Sequence, residues 1–456
     1  LRVIVNGEMQ LGELVLYDGD GTQMPTSALT VSENGAALFD EAETVPKKVS
    51  YRNGTYFDEV YHARTAYEHI NGIAPYEISH PPLGKLIISI GVRLFGMTPF
   101  GWRFMGALLG VLMLPLLYTL LKCLFGNTLI SVCGTVVFAF DFMHFVQTRI
   151  ATIDSYAVFF ILLMYLCFYL FLRSDKLGQP VWKSRLPLAL AGLFFGIGCA
   201  CKWTVLYGGI GLGVLWLMHW VGRLHTEGKT AQQAFWSNVR WCLLFFVAVP
   251  LFVYYISYTP YGTAVGLQGA KMYFSRDYLS IVLENQSYML HYHSSLSSEH
   301  IYSSRWYEWL LDLRPMLYWV EKSEGISASI AAFVSPLLCW GGLASVGATA
   351  YLGVRRKDTR ALFLVVGYLA QLLPWAFVSR TTFVYHYFAC TVFLTLCLCY
   401  VLNYLREKGY CWKGFAWGIS SASIGLFVVF YPILSGTAVS DSYQNFLRWL
   451  PKFWKF

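Results

Sequence analysis

The sequence predicts an α-helical polytopic membrane protein with about ten membrane spans, preceded by a short β-rich extramembrane segment. Three observations lead to this prediction. Of the 456 residues, 56% are hydrophobic and only 13% are charged, about half the charged fraction of soluble domains. The apolar residues come in blocks of roughly 20, the length needed to cross ~30 Å of hydrocarbon. Lys and Arg lie mainly in the loops between these blocks.

The first part of the chain, residues 1–50, alternates apolar and polar residues in short runs such as Leu1–Val5 and Glu13–Tyr17. A turn sequence follows at Asp18–Thr22, so we expect the end of an extracytoplasmic β-rich segment. The chain starts without Met, a basic leader or a signal-type apolar core, and we therefore expect that its natural N-terminus is missing. Residues 51–100 follow as a polar loop with interfacial helices, because Gly84–Met97 is too short to span.

Ten apolar segments then predict the membrane spans. They fall into a first bundle over 101–258 and a second bundle over 329–435, separated by a loop region at 259–328 and followed by a tail at 436–456. The predicted spans are residues 101–124, 128–146, 153–172, 187–203, 205–221, 239–258, 329–354, 361–379, 384–405 and 413–435.

Charge placement orients the predicted bundle. Every second loop is basic, as in 173–185 and 355–360, and basic loops mark the cytoplasmic side. Residues 1–100, 259–328 and the tail are therefore predicted to be extracytoplasmic. This bias also accounts for the net charge of +8, so no nucleic-acid partner is predicted. The 11 Cys lie in or beside apolar segments without a CxxC pair, which predicts buried thiols rather than disulfides or metal ligands.

An acidic pair, Asp58-Glu59, precedes a helical pattern in the extracytoplasmic loop. Two interpretations stay open from local sequence. Carboxylates at a helix start cap free amides and suit the helix dipole. Alternatively, a carboxylate near the bilayer acts as a general base, since reduced solvation raises its pKa toward the working range.

Several cations lie on the predicted outer side, against the positive-inside bias. Each alone is typical of a membrane anchor, but together they require a counter-charge, which an anionic phosphate entering from the lipid would supply. Asp154 begins a span at the same side, so we expect it to face protein or a cavity. The cations are Lys85 in His80-Pro81-Pro82-Leu83-Gly84-Lys85, Arg103, Arg149, Lys202 and Arg380.

The segment 284–320 is rich in His and Trp, including His291, His293, His300, Trp306 and Trp309. Its His-x-His spacing is weak evidence for zinc, and solvated histidines are the simpler interpretation. The aromatic residues either form an interfacial belt or stack on a sugar or an acceptor peptide.

In combination, these motifs resemble the protein O-mannosyltransferases. The resemblance rests on Tyr56-Phe57-Asp58-Glu59, the HPPLGK run at 80–85, Arg149–Ser155 and Cys201-Lys202-Trp203, while Tyr302–Trp309 and Arg380–Phe388 are similar to the bacterial branch. It covers roughly residues 50–456. The resemblance implies a GT-C-type bundle in the bacterial plasma membrane, a polyprenyl-phosphate sugar donor (usually mannose) and Ser or Thr of an exported protein as acceptor.

The resemblance also implies roles for particular residues. The catalytic acids are Asp58 as base, with Glu59 and Asp154; the donor phosphate faces Lys85, Arg103, Arg149, Lys202 and Arg380; and His80, His293, Trp306 and Trp309 position acceptor or sugar. No metal or other cofactor is expected, since the lipid-linked sugar is itself a substrate. Compared with the family, we expect that the first span is missing and that residues 1–50 form an insertion between that span and the acidic loop. Residues 259–328 are too short for the trefoil domain of the eukaryotic enzymes.

Mechanistically, this predicts an inverting single displacement on the outer membrane face. A related GT-C transferase with another sugar, or with a lipid or cell-wall acceptor, is the alternative. A transporter is more remote, because its ionisable groups would lie near mid-span rather than at span ends. A carbohydrate-binding membrane anchor ranks last, since it leaves the acidic pair unexplained.

Overall fold

The computed structural model describes residues 13–20, 22–25, 38–39, 45–46, 48–176, 180–295 and 300–456. The chain divides into two compact units, Leu1–Thr55 and Tyr56–Phe456. In the first unit, Tyr17 and Gln23 form an isolated antiparallel bridge around the predicted turn, where the Asp18 carboxylate accepts hydrogen bonds from the amides of Asp20 and Thr22. The predicted strand Leu1–Val5 lies outside the described residues.

The second unit begins with two short helices, α1 (Glu59–Asn71) and α2 (Leu83–Phe95). A glycine ends α1, because Gly72 adopts the left-handed conformation that closes the last helical turn. With 13 residues, α2 is about 20 Å long, too short to cross the bilayer, as predicted.

Long apolar helices make up most of this unit. The first group is α3 (Pro99–Phe125), α4 (Thr128–Ala139), α5 (Phe142–Arg149), α6 (Asp154–Ser174), α7 (Val181–Cys201), α8 (Val205–Glu227), α9 (Lys229–Leu243), α10 (Val249–Ser257) and α11 (Thr259–Ala264). A π-helical turn, Leu244–Ala248, joins α9 to α10, so that Ala231–Ala264 forms one apolar helical segment.

The connection and the second group follow. These elements are α12 (Arg276–Ser295), α13 (Trp306–Trp309), β1 (Met316–Ser323), β2 (Ile326–Ala332), α14 (Gly342–Arg356), α15 (Thr359–Leu372), α16 (Phe388–Glu407), α17 (Trp412–Ser435), β3 (Val439–Ser440) and α18 (Asp441–Leu447). A π-helical turn at Leu337–Gly341 precedes α14, and 3₁₀ turns at Leu373–Phe377 and Val384–Tyr387 follow α15 and precede α16.

In the described part of the chain, nine helical segments are long and apolar enough to span a membrane, and α4 with α5 makes a tenth. The predicted number of about ten is confirmed, but the second span is bent by 58° between α4 and α5. The cause is Asp141, whose buried carboxylate accepts hydrogen bonds from the amides of His144 and Ser335 and so starts a new helix.

The predicted span 329–354 is wrong at its start. Residues 329–332 belong to β2, which pairs antiparallel with β1, and the helical segment begins only at Leu337. The strand reads as apolar as a membrane helix because nearly all of it is buried. β3 pairs with the other edge of β2, giving a three-stranded sheet in the order β1-β2-β3.

The centre of the bundle is formed by α6 and α16. Of their most apolar windows, 78% and 83% of residues are buried, against 6% for Ala231–Ala264. The polar start of α6 therefore emerges from the most enclosed part of the molecule. The loops before α1, after α7 and before α16 meet it there, and they carry the candidate site.

Candidate functional site

Asp58 stands at the start of α1, but it does not cap the helix. Its side chain makes no capping hydrogen bond, although the residue occupies the N-cap position. The preceding Phe57 has a φ of 52°, a left-handed conformation that is strained for an aromatic residue. The Phe57 ring stacks on Tyr318 of β1 with 4.3 Å between centroids, which holds this backbone in place. The capping interpretation therefore fails for Asp58.

The surroundings of Asp58 tune its acidity. Burial raises its pKa to about 7, with further contributions from the negative charges of Asp154 and Glu77, while Lys202 acts in the opposite direction. A carboxylate with a pKa near neutrality is suited to accept and release a proton at physiological pH.

Glu59 has a different environment from its neighbour. It is fully buried, and both of its oxygens bind the Arg103 guanidinium at 2.7 Å. The same carboxylate accepts the backbone amides of Ala151 at 3.0 Å and Tyr56 at 3.3 Å. The pair therefore ties α1 to α3 and to the turn before α6. This arrangement favours a structural role for Glu59 and Arg103 over the predicted catalytic and phosphate-binding roles.

The Lys85 ammonium also makes its contacts within the protein. It is fully buried, binds the Glu77 carboxylate at 2.5 Å and donates to the carbonyls of Glu77 at 2.8 Å and His80 at 3.1 Å. Burial is the largest influence on Glu77 and opposes its ionisation, but the charge and hydrogen bond of Lys85 together with His80 and His62 lower the pKa of Glu77 well below its ordinary value. Because all three donors of Lys85 are used, the structure contradicts its predicted phosphate contact.

Two other predicted residues meet as an ion pair. Lys202, just after α7, lies 2.7 Å from Asp154 at the start of α6. Their side chains are 7% and 15% exposed, so the pair is only partly shielded. The Lys202 ammonium also lies 5.9 Å from the ring centroid of Tyr385, which precedes α16. The predicted association of this cation and this acid with one site is thus consistent with the geometry.

Arg149 and Arg380 differ in what their guanidinium groups bind. Arg149 donates to the carbonyls of Leu434 and Ser435 at 3.2 Å each, which stabilises the C-terminal end of α17. This contact replaces its predicted phosphate contact. In contrast, Arg380 makes no hydrogen bond or ion pair with any described residue. It lines a cavity of about 780 Å³ together with Trp306.

The residues predicted to position acceptor or sugar do not share one environment in the structure. His80 stacks on His293 with 5.1 Å between ring centroids, and His293 Nε2 contacts the Ser79 carbonyl at 2.9 Å. Burial lowers the pKa of His80, and it lowers that of His293 to about 4. Trp309 is buried and donates its indole N–H to the Ser304 hydroxyl, so it belongs to the core rather than to a binding surface.

A second cavity, of about 430 Å³, contacts Asp58 directly. His62 of α1, Glu77, and Tyr288 and Tyr292 of α12 contribute to its walls. The sequence analysis missed His62 and Glu77. A signal was present for both, since His62 follows Asp58 by one helical turn and a buried lysine such as Lys85 requires a nearby acid.

The architecture is that of a GT-C-type transmembrane bundle. It matches the Saccharomyces cerevisiae protein O-mannosyltransferase Pmt1-Pmt2 complex bound to the sugar donor, with a TM-score of 0.76 and 14% identity over 89% of this chain and 90% of that chain. ArnT from Cupriavidus metallidurans bound to undecaprenyl phosphate matches with a TM-score of 0.54 and 14% identity, over 83% of this chain and 60% of that one. At these identities the likeness concerns the fold.

Sequence comparison gives the family. The model described as dolichyl-phosphate-mannose-protein mannosyltransferase matches residues 44–260, and that of the C-terminal four-TMM region of protein-O-mannosyltransferase matches 278–454. The polyprenol-phosphate-mannose--protein mannosyltransferase of Mycobacterium tuberculosis is 26% identical over 87% of this chain and 86% of its own length. The Mycolicibacterium smegmatis protein of that name is also 26% identical, over 87% of each. The chain belongs to the protein O-mannosyltransferase family, as the sequence motifs predicted.

Proposed function

We propose that this protein transfers a mannosyl residue from a polyprenyl-phosphate donor to Ser or Thr hydroxyls of exported proteins. The observation that carries the proposal is the Asp58 carboxylate, which is half-buried, makes no helix-capping hydrogen bond and lines a cavity near the Asp154–Lys202 pair. Its pKa of about 7 suits a general base. Family membership and the names of the mycobacterial relatives support the sugar and the acceptor class.

The proposed reaction is an inverting single displacement. Asp58 takes the proton of the acceptor hydroxyl as its oxygen forms a bond to the anomeric carbon. The bond between that carbon and the phosphate oxygen breaks, and polyprenyl phosphate leaves with the bonding electron pair. Arg380, whose guanidinium has no partner among the described residues, and Lys202 are the cations proposed to bind the phosphate charge. Since phosphate is a competent leaving group, we propose that no metal or other cofactor takes part.

The proposed location is the bacterial plasma membrane, with the site on the extracytoplasmic face. The ten apolar helical segments make the protein a multi-pass membrane protein. The basic loops alternate along the sequence, and the loops that carry Asp58 and Asp154 fall on the opposite side from them. A lipid-linked donor and an exported acceptor meet at that face.

The test is transfer of labelled mannose from polyprenyl-phosphate mannose to a Ser/Thr peptide by purified protein. Asp58→Asn removes the base and should lower the transfer rate by about 10²–10⁴-fold without loss of folded protein. Asp441→Asn is the control, because Asp441 binds Ser327 beside β3 and is expected to leave the rate unchanged. Full activity of Asp58→Asn would refute the mechanism. Transfer of a different lipid-linked sugar, or transfer only to a lipid, would favour another GT-C transferase.

A further inference from the structure

The described walls of the cavity beside Asp58 offer no positive charge to an anionic ligand. Its walls carry the carboxylates of Asp58 and Glu77 and the imidazoles of His62 and His80, and no Lys or Arg of the described chain lines it. Burial lowers the pKa of both histidines, to about 4 for His62, so both rings are neutral at neutral pH. A phosphate finds no cation in these walls, whereas Arg380 lines the other cavity and is suited to bind one.

The remaining walls are suited to an uncharged chain. Tyr288 and Tyr292 of α12 lie nearly parallel, 6.2 Å apart, and Tyr61 and Tyr76 form a similar pair at 6.4 Å. All four rings line the cavity, and most are partly exposed. Rings of this kind provide apolar contact area at a low cost in side-chain entropy.

His62 brings to this cavity a polar side chain that has no hydrogen-bond partner in the described chain. It is 5% exposed, and its Nδ1 is buried without a hydrogen-bond partner in the described chain. A buried N–H without an acceptor is rarer than an unpaired acceptor, so we assign the proton to Nε2. Nε2 makes no hydrogen bond with a described residue and is open to the cavity. A neutral donor therefore faces the space next to the proposed base.

The spacing of His62 and Asp58 restricts what this donor binds. Asp58 precedes α1 and His62 lies four residues further on, a helical spacing that places the two Cβ atoms about 6 Å apart on one face, close to the length of two residues of an extended chain. Donation to the acceptor hydroxyl would withdraw electron density from the oxygen that attacks. Donation to a backbone carbonyl next to the acceptor residue instead leaves that oxygen free while Asp58 takes its proton.

We propose that this cavity binds the acceptor as an extended, uncharged polypeptide segment, and that His62 Nε2–H donates to one of its backbone carbonyls. His62 is then a positioning residue that sets acceptor binding, in place of the predicted Trp309. The inference rests on the proposed function, because it presupposes a polypeptide acceptor.

The experiment compares His62→Gln, His62→Asn and His62→Phe in the full-length purified protein, with separate KM measurements for peptide and donor. The Gln amide nitrogen reaches the place of Nε2, whereas that of Asn reaches the place of Nδ1. His62→Gln should keep the peptide KM within about threefold, and His62→Asn and His62→Phe should raise it about tenfold, with the donor KM unchanged. His225→Gln at the end of α8 is the control and changes neither constant.

A purely structural role for His62 would lower thermal stability in all three variants without separating Gln from Asn. That result, or an unchanged peptide KM in His62→Asn, overturns the proposal. If the Phe variant does not fold, the comparison of His62→Gln with His62→Asn still tests the proposal. A second set of measurements compares an acceptor peptide that has Gln next to the acceptor Thr with the same peptide carrying Glu at that position. The Glu peptide should bind more weakly and have the higher KM. If the wild-type protein modifies no peptide at all but uses another acceptor, the proposed function itself is refuted.

Discussion

The buried pair of Glu59 and Arg103 gives the strongest stability prediction. Glu59 is fully buried, and Arg103 is 17% exposed in its side chain. Replacing Glu59 by Gln removes the charge that compensates a largely buried guanidinium, and it also weakens the bond to the Ala151 amide. Removing one partner of such a pair costs about 3–5 kcal/mol, since the remaining charge loses the carboxylate that compensates it. We therefore expect Glu59→Gln to be poorly folded rather than folded and inactive.

The assay is thermal unfolding of the detergent-purified protein, together with the yield of monodisperse protein. Glu407→Gln is the matched control, because its pair with Arg356 is more exposed, at 27% and 34%, and is worth only about 0.2–1 kcal/mol. The double variant Glu59→Gln/Arg103→Met should recover much of the lost stability, as it removes both charges. A Glu59→Gln protein with wild-type stability and no transferase activity would refute this reasoning and restore the catalytic role.

Four further outcomes are expected. The transfer rate should fall as the pH drops below about 7, because Asp58 must be deprotonated to act, and the pH–rate profile measures this. In Asp154→Asn the acidic limb should move to lower pH, since a negative charge that raises the pKa of Asp58 is gone; a limb that moves to higher pH would contradict the assignment. Lys85→Met should cost about 3–5 kcal/mol of stability by leaving its carboxylate partner unpaired, again measured by thermal unfolding. Arg380→Gln should raise the donor KM about tenfold in a donor titration and leave the peptide KM unchanged.

The bundle was predictable from sequence because membrane spans have a simple physical requirement. A span needs about 20 apolar residues, and nothing local has to be known about packing. The errors fall where a buried polar group or a buried strand changes the backbone. Asp141 bends the second span through two hydrogen bonds, one of them to the distant Ser335 amide. β2 is apolar because it lies between two other strands and under helices, which an apolar run does not reveal.

The site was predictable only as a set of residues at one end of the bundle. The sequence placed Asp58 and Glu59 side by side and predicted a catalytic role for both, with Asp58 as the base. Their different environments depend on residues far along the chain, since Glu59 meets Arg103 and Asp58 lies near Asp154 and Lys202. Neither contact follows from spacing. The left-handed backbone of Phe57, which directly precedes the two carboxylates, is equally invisible in the sequence.

The cations at this end of the bundle show why the site needs fewer of them than the sequence suggests. A cation on the predicted outer side requires a counter-charge, and the protein itself supplies Glu59 to Arg103, Glu77 to Lys85 and Asp154 to Lys202.

The remaining charge fits the proposed reaction. Arg149 binds helix-terminal carbonyls, which leaves Arg380 as the cation without a partner in the described chain. In the proposed displacement, Asp58 loses its negative charge on taking the proton, while the leaving phosphate gains one. The total charge of the site stays constant through the reaction. The Arg380 guanidinium and the buried Lys202 ammonium are therefore sufficient, because they stabilise a charge that moves between two nearby groups rather than a new one.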